Sequence, residues 1–408
     1  MTSAAPSSWA EARRIAAAIA TPLDVVRVEF SDAVGSILAE RLFALTDLPP
    51  ADTAAMDGWA VSGPGPWSVV GEVTAGRVAP PLADGTAIRI STGAIVPSGT
   101  SAVLRREHGL IDQLKSGERL LVGDVRTGTP SAHPGYIDSG VDIRPTGEEC
   151  NAGDILLDPG RTVTPAVIGL AAAAGYDALA VIRPPGITPL IVGDELIDHG
   201  LPNSGLIRDS LGPLLPSWLR HLGGWPLEPQ RIPDTLDDLR TAIKFATGDV
   251  IITTGSTAKG PRDHLHTALT ELQAQFHVDG VAVRPGHPMV LATLPDGRYV
   301  VGLPGNPFAA ISALFTLVAP LIAMLRGDES AFRVRHEAMI SVDVPGRKHA
   351  TTLLPVTRDV GELVTRAVPV PYSGAAMLRG VAVAEALAVI PPGGAPRGQS
   401  VELLLLPT

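Results

Sequence analysis

The stretch Asp249-Val-Ile-Ile-Thr-Thr-Gly-Ser-Thr-Ala-Lys-Gly-Pro-Arg-Asp263 decides how this chain is read. Its β-branched run at 250–252 has the composition of a buried strand. Thr254 and Gly255 follow at the strand's carboxyl end, and Gly260 with Pro261 breaks the chain again. Asp263 then opens a helical pattern through 272, with Leu265, Leu269 and Leu272 on one side. A strand, a small-residue loop and a helix in that order let an open α/β sheet turn backbone N–H groups toward an anion.

Working outward, strands and helices alternate from 187 to 327. A strand at 188–192 ends at Gly193-Asp194-Glu195, and helices are expected at 210–222 and 236–247. A strand at 280–283 ends at Arg284-Pro-Gly-His287-Pro288, and one at 299–303 ends at Pro304-Gly305-Asn306-Pro307 before a long helix. The expected fold is doubly wound, so these strand ends should lie along one sheet edge, where ligands bind. Asp194, Glu195, Asp263, Arg284 and His287 are then expected to converge. Carboxylates beside cations suit Mg²⁺ together with a phosphate or other oxyanion. The plainer alternatives are that Asp194 and Asp263 cap helices and that Arg284 is a solvated loop residue.

The flanking segments read differently. Ser8 with Glu11 forms a capping box for a helix over 1–20, followed by a strand at 24–30. Residues 32–41 read as a helix, because Val34, Leu38 and Leu42 are spaced to pack together. Thr164 and Pro165 open a helix that Gly175 ends. Frequent Pro and Gly turns and short strands mark 47–142 as β-rich, and 328–408 read as β throughout. The expected domains are therefore 1–46 with 143–182, an insertion at 47–142, an α/β domain at 183–327 and a β domain at 328–408.

Composition narrows the function. The 408 residues are 45% hydrophobic and 18% charged, which suits a globular chain with a full core. A net charge of −10 argues against a nucleic-acid-binding face, although a local pocket can still be positive. Cys150 is the single cysteine, so an intramolecular disulfide and a cysteine-based zinc site are excluded, and a reducing, cytoplasmic setting is expected. Glu148 and Glu149 beside it disfavour a thiolate nucleophile. Arg13 and Arg14 interrupt the first apolar segment, so no secretory leader is expected. The uncharged run at 299–325 contains Pro304, Pro307 and Pro320 and reads as a buried helix rather than a membrane span.

Taken together, the motifs resemble the molybdopterin molybdenumtransferase family, of the MoeA and gephyrin E-domain type. The matching motifs are Ala55-Met-Asp57-Gly-Trp-Ala-Val61, Arg89-Ile-Ser-Thr92-Gly-Ala-Ile-Val-Pro97, Gly147-Glu-Glu149 and Gly193-Asp-Glu195. They continue with Ile207-Arg-Asp209-Ser210, Thr254-Gly255 through Asp263, Arg284-Pro-Gly-His287 and Pro304-Gly-Asn-Pro307. They run in the family's order over nearly the whole chain. The resemblance implies a multidomain α/β plus β protein. Its parts would be a discontinuous N-terminal domain, a β-rich inserted domain, a MogA-like doubly wound α/β domain and a C-terminal β-barrel-like domain.

It also implies a homodimer whose site lies between the α/β domain of one subunit and the inserted domain of the other. The reaction it implies takes adenylylated molybdopterin and molybdate, with Mg²⁺, and gives molybdenum cofactor and AMP. A molybdopterin adenylyltransferase and recipient molybdoenzymes are the implied partners; nucleic acid and membrane are not. Carried over motif by motif, the catalytic residues are Asp57, Thr92, Glu195 and Asp263, and the metal ligands Asp194, Glu195, Asp209 and Asp263. The molybdopterin or molybdate contacts are Thr254, Gly255, Ser256, Lys259, Arg284, His287, Pro304, Gly305, Asn306 and Pro307. The chain departs from the family pattern at Ser256, Ala258, Arg284, His287 and Glu149. The alternative reading is a paralogue that binds molybdopterin species, or acts as a scaffold, without turnover.

Overall fold

The computed structural model describes residues 6–114, 119–123, 137–203, 205–255, 257, 264–332, 336–361 and 364–407. The chain forms two compact units. One comprises Met1–Ala39, Gly160–Val163 and Ala180–Thr408, the other Glu40–Pro159 and Thr164–Leu179.

The first unit is built on a sheet in which Trp225–Pro226, Gly186–Val192, Val250–Thr254 and Tyr299–Leu303 run parallel. Val290–Thr293 and Gln275–Asp279 extend it antiparallel. Alternate side chains leave opposite faces, as the pleat requires. Ile187, Ile191, Val250, Ile252, Val301 and Leu303 join one core, under the helix Leu211–His221 and the long helix that begins at Pro307. Leu190, Val192, Ile251 and Val300 join a second core, under the helices Leu236–Phe245 and His264–Glu271. Both faces are covered, which explains why these strands read as continuous apolar runs. The helical run Pro307–Leu325 is apolar and long enough to cross a membrane, but it is 89% buried inside the fold. It is the central core helix, with a π-helical turn at Leu314–Val318. The helix Trp9–Ala18, capped by Ser8, packs on it; Trp9 Nε1 donates to Thr316 Oγ1 at 3.2 Å.

Asp249, which opens the deciding stretch, ties the sheet's amino edge together. Its carboxylate accepts from Arg183 Nη1 at 2.8 Å, Arg183 Nη2 at 2.9 Å and the Gly186 amide at 2.7 Å. Burial pushes its pKa up, but the Arg183 pairing and the Gly186 amide outweigh burial and hold it below the usual value. A depressed carboxylate contributes stability above its unfolded pKa, and that contribution is lost as pH falls through the lower folded value. Asp249→Ala is therefore expected to cost about 2 kcal/mol near neutral pH, since it leaves a half-buried Arg183 unpaired. The deficit should shrink below about pH 4; urea unfolding at both pH values checks it.

A second sheet of the same unit has the order Ser7–Ser8, Val281–Arg284, Thr351–Val360, Thr365–Pro369, His336–Ile340, Ser400–Leu405, Ala386–Ile390. Thr351–Val360 also pairs with Ala386–Ile390, so the last five strands close into a small barrel around Ile340, Val356, Ala388 and Leu403. One expectation is corrected here. Val281–Arg284 runs parallel to Thr351–Val360 in this sheet and is not a strand of the α/β sheet. Its four residues carry the alternation of any half-buried strand, and nothing local selects the partner.

A second correction concerns 32–41. The chain forms a short helix, Phe30–Ala33, then strands Ile37–Leu38 and Leu42–Phe43. Gly35 turns at φ +81 between them, and Val34 is 55% exposed. Ile37 and Leu38 are buried against Ile182 and Val181 of the strand Ala178–Ile182.

The second unit centres on a six-stranded sheet ordered Gly109–Gln113, Arg119–Gly123, Trp67–Val73, Thr86–Ile90, Gly58–Val61, Ala102–Arg105. Its faces pack on separate apolar clusters, one around Ile88, Ile90 and Val103, the other around Trp59, Trp67 and Leu121. Cys150 is buried near Ala44, Leu48 and Ala174, and burial with the neighbouring Glu149 pushes its thiol pKa up.

Candidate functional site

Three parallel strands of the α/β sheet end in the loops at Gly193, Gly255 and Pro304, as their composition suggests. At this edge a cavity of about 580 Å³ is lined by Glu195, Arg208, Asp209, Ser210, Thr254, Gly255, Gly305, Asn306 and Pro307. Val192, Leu196, Ile207, Leu211, Ala376 and Leu378 complete its wall. Thr254 is buried, and its hydroxyl accepts from the Val192 amide at 3.3 Å, joining adjacent strands below the loops. Gly255 turns at φ +78, and its amide donates to the Leu303 carbonyl at 2.9 Å.

The carboxylates separate in role. Glu195 lines the cavity and folds back over Gly193. Asp209 is only 9% exposed; its Oδ1 accepts from the amides of Leu211 at 2.9 Å and Gly212 at 3.0 Å, capping the helix Leu211–His221. Its other oxygen lies over Gly212. Asp194 is exposed, is not part of the cavity wall, and accepts from the Asp234 amide at 3.3 Å. Among the described residues no cluster of three metal-ligating side chains occurs. Glu195 and Asp209 still fit Mg²⁺, which keeps several waters and typically takes one or two carboxylates with substrate phosphates. Ser256, Lys259 and Asp263 lie outside the described residues.

A second cavity, about 740 Å³, is lined by Arg284, Pro285, Gly286, His287, Pro304 and Asn306 on one side and by Arg347, Thr352, Ser373, Gly374 and Ala375 on the other. His287 Nδ1 lies 2.7 Å from the Val281 carbonyl; since a carbonyl only accepts, Nδ1 carries the proton. A third, of about 420 Å³, shares Arg284, His287 and Arg347 and adds Lys348 and His349, with no carboxylate in its wall. This wall is the most cation-rich of the three and suits an oxyanion. Arg284 therefore reaches the site from the barrel sheet, not from the α/β edge.

At the start of the long helix the amides of Phe308 and Ala309 both donate to the Ala375 carbonyl, at 2.9 and 3.1 Å. The segment Ser373–Ala376 occupies that helix end and stands between the first two cavities.

In the second unit Asp57 Oδ1 accepts from the Thr92 amide at 2.7 Å and the Thr92 hydroxyl at 2.9 Å. These bonds, with help from Arg106 and Arg89, hold the exposed Asp57 carboxyl below its usual pKa, so it stays ionised. Two residues on, Trp59 is buried, and its Nε1 has no hydrogen-bond partner among the described residues.

Sequence reasoning missed Arg208, Arg347, Lys348, His349 and the Ser373–Ala376 segment. The run Gly346-Arg-Lys-His349 and the small-residue patch Ser373-Gly-Ala-Ala376 were visible signals between β segments.

Comparison with known proteins fits this arrangement. Residues 7–175 match the MoeA N-terminal region (domain I and II), 189–324 a probable molybdopterin binding domain, and 337–406 the MoeA C-terminal region (domain IV). A molybdopterin molybdenumtransferase of Staphylococcus aureus (strain Mu50) is 26% identical over 402 residues, covering 94% of this chain and 91% of that one. The protein of the same name from Staphylococcus epidermidis (strain RP62A) is 27% identical over 398 residues, covering 93% and 91%. The crystal structure of a molybdopterin biosynthesis MoeA protein from Pyrococcus horikoshii superposes with a TM-score of 0.77 at 25% identity, covering 99% of this chain and 100% of that one. With all three consecutive regions matched in order, the chain belongs to the molybdopterin molybdenumtransferase family, of MoeA type.

Proposed function

We propose that this chain inserts molybdate into adenylylated molybdopterin and releases AMP, as an enzyme of molybdenum cofactor biosynthesis. The observation that carries the reading is the pairing of a carboxylate-bearing cavity at the α/β edge with a cation-lined one beside it. The reaction needs two anions held next to each other. Phosphate of the adenylylated pterin fits the first cavity, where Arg208 offers a cation and Glu195 with Asp209 would hold Mg²⁺. Bound there, Mg²⁺ would offset phosphate charge and favour departure of AMP. Molybdate fits the second, against Arg284, His287 and Arg347.

The atoms balance without a further reactant. Condensing two pterin thiols with one molybdate forms two Mo–S bonds and releases one water. Cleaving the phosphoanhydride consumes one water and frees AMP. The chain's own side chains orient both anions and screen their repulsion, which is the main barrier to bringing them together. Asp57 and Thr92 are assigned to closing the site from a second copy, so the working form is a homodimer; the lone Cys150 is consistent with a cytoplasmic setting.

The test is AMP release from adenylylated molybdopterin. The wild-type chain should show release that depends on both molybdate and Mg²⁺. Glu195→Gln should lower the rate about a hundredfold and raise the Mg²⁺ needed. No turnover under conditions where the Staphylococcus aureus relative works would select the non-catalytic scaffold instead.

A further inference from the structure

We infer that the Asn306 carboxamide is the donor that contacts both substrates at their junction. Among the described residues it is the one residue that lines both the carboxylate-bearing cavity and the cation-lined cavity. The inference rests on the assignment of one anion to each of these cavities.

Asn306 occupies the N-cap position of the helix Pro307–Ala313, which continues to Leu325. An asparagine there ordinarily turns its side-chain oxygen to the amides two or three residues on. Here those amides, Phe308 and Ala309, are already taken by the Ala375 carbonyl. The Asn306 side chain makes no capping bond and is exposed. Its carboxamide is thereby released from the usual structural duty and left at the boundary of two anion-sized spaces. An amide NH₂ carries two N–H donors and no charge. It can donate to a molybdate oxygen and to a phosphate oxygen without the geometry of a full ion pair. It would do so most strongly where negative charge concentrates as the two anions close on each other. The Ala375 carbonyl is, on this view, the device that frees Asn306 by replacing it as the cap.

Two substitutions in the full-length chain separate this role from capping. Asn306→Asp keeps, and even improves, a helix cap, because a carboxylate at a helix N-terminus is favourable. Asn306→Ala removes any cap. If Asn306 merely capped the helix, Asn306→Asp would be active and Asn306→Ala would melt early. The expected result is the reverse. Asn306→Ala keeps the wild-type melting temperature but loses about a hundredfold in kcat for AMP release. Asn306→Asp is also folded, is slower still, and needs more of both molybdate and adenylylated molybdopterin, because its charge repels both. Titrations with molybdate alone and with AMP alone should each weaken in Asn306→Asp. Wild-type turnover by Asn306→Ala, an active Asn306→Asp, or weakening toward only one of the two anions would overturn the inference while leaving the proposed reaction in place. An inactive wild-type chain would remove the reaction itself, and the inference with it.

Discussion

Replacing Arg284 and Arg347 together by alanine is expected to raise the molybdate concentration for half-maximal AMP release by a hundredfold or more, with little change in folding. Each guanidinium can make charge-assisted hydrogen bonds to an oxyanion, worth about 1.5–3 kcal/mol apiece. Losing both amounts to about 3–6 kcal/mol, and some is recovered by His287, Lys348 and His349, which stand in the same walls. Either single variant should cost about tenfold. Both side chains are exposed, and among the described residues their one side-chain hydrogen bond runs from Arg284 Nη1 to the Val283 carbonyl at 3.0 Å. Their removal should therefore move stability by less than about 0.5 kcal/mol. The requirement for adenylylated molybdopterin should stay near the wild-type value, since the first cavity contains neither arginine. Lysine at both positions would keep the charge but lose the forked geometry, and should fall between. The measurement is initial rate against molybdate at saturating adenylylated substrate. An unchanged half-saturation point in the double variant would remove molybdate from this cavity.

What the sequence made legible follows from what local pattern can encode. Residues 250–252, 188–192 and 299–303 are apolar on both faces, and only a covered parallel sheet buries both, so the doubly wound domain could be read directly. Three loops at its edge, at Gly193, Gly255 and Pro304, followed from the same reading. Val281–Arg284 joins the barrel sheet rather than the α/β sheet, because a four-residue strand specifies its faces but not its partner. Asp209 resembles a metal ligand in the sequence; only the fold shows one of its oxygens spent on the amides of Leu211 and Gly212. The helix end at Asn306 is likewise covered by a contact that only the fold shows. Its occupant, Ala375, is distant in sequence and contributes a backbone carbonyl, which no residue type announces. At 32–41 Val34, Leu38 and Leu42 satisfy helical spacing, while the turn at Gly35 sets the actual course. Hydrophobic periodicity thus located the scaffold, and the contacts that divide the site into two chambers came from pairings distant in sequence.

Gly286→Ala should destabilise the fold and weaken molybdate binding together. Gly286 sits in the Arg284-Pro-Gly-His287 turn at φ +108, where an L side chain is strained. A Cβ there would lie 2.9 Å from the Ala309 carbonyl oxygen and 3.3 Å from Met289 Cε and Ser312 Cβ. The first contact is with backbone of the central helix, which cannot rotate away. The turn must therefore lift off the helix, carrying Arg284 and His287 with it and widening the cavity that they line. Strain alone costs about 1 kcal/mol, and the forced displacement should bring the total to about 3 kcal/mol. Gly297→Ala supplies the control. It has a similar φ of +90 with nothing within 4 Å of its added Cβ, so it should pay only the conformational part, about 1 kcal/mol. The two variants are compared by urea unfolding and by molybdate titration. Gly286→Ala should be less stable than Gly297→Ala by about 2 kcal/mol and should bind molybdate at least tenfold more weakly, whereas Gly297→Ala binds as wild type. Equal destabilisation of the two would mean that the turn accommodates the methyl without leaving the helix. In that case the close fit between Gly286 and Ala309 is not what positions Arg284 and His287.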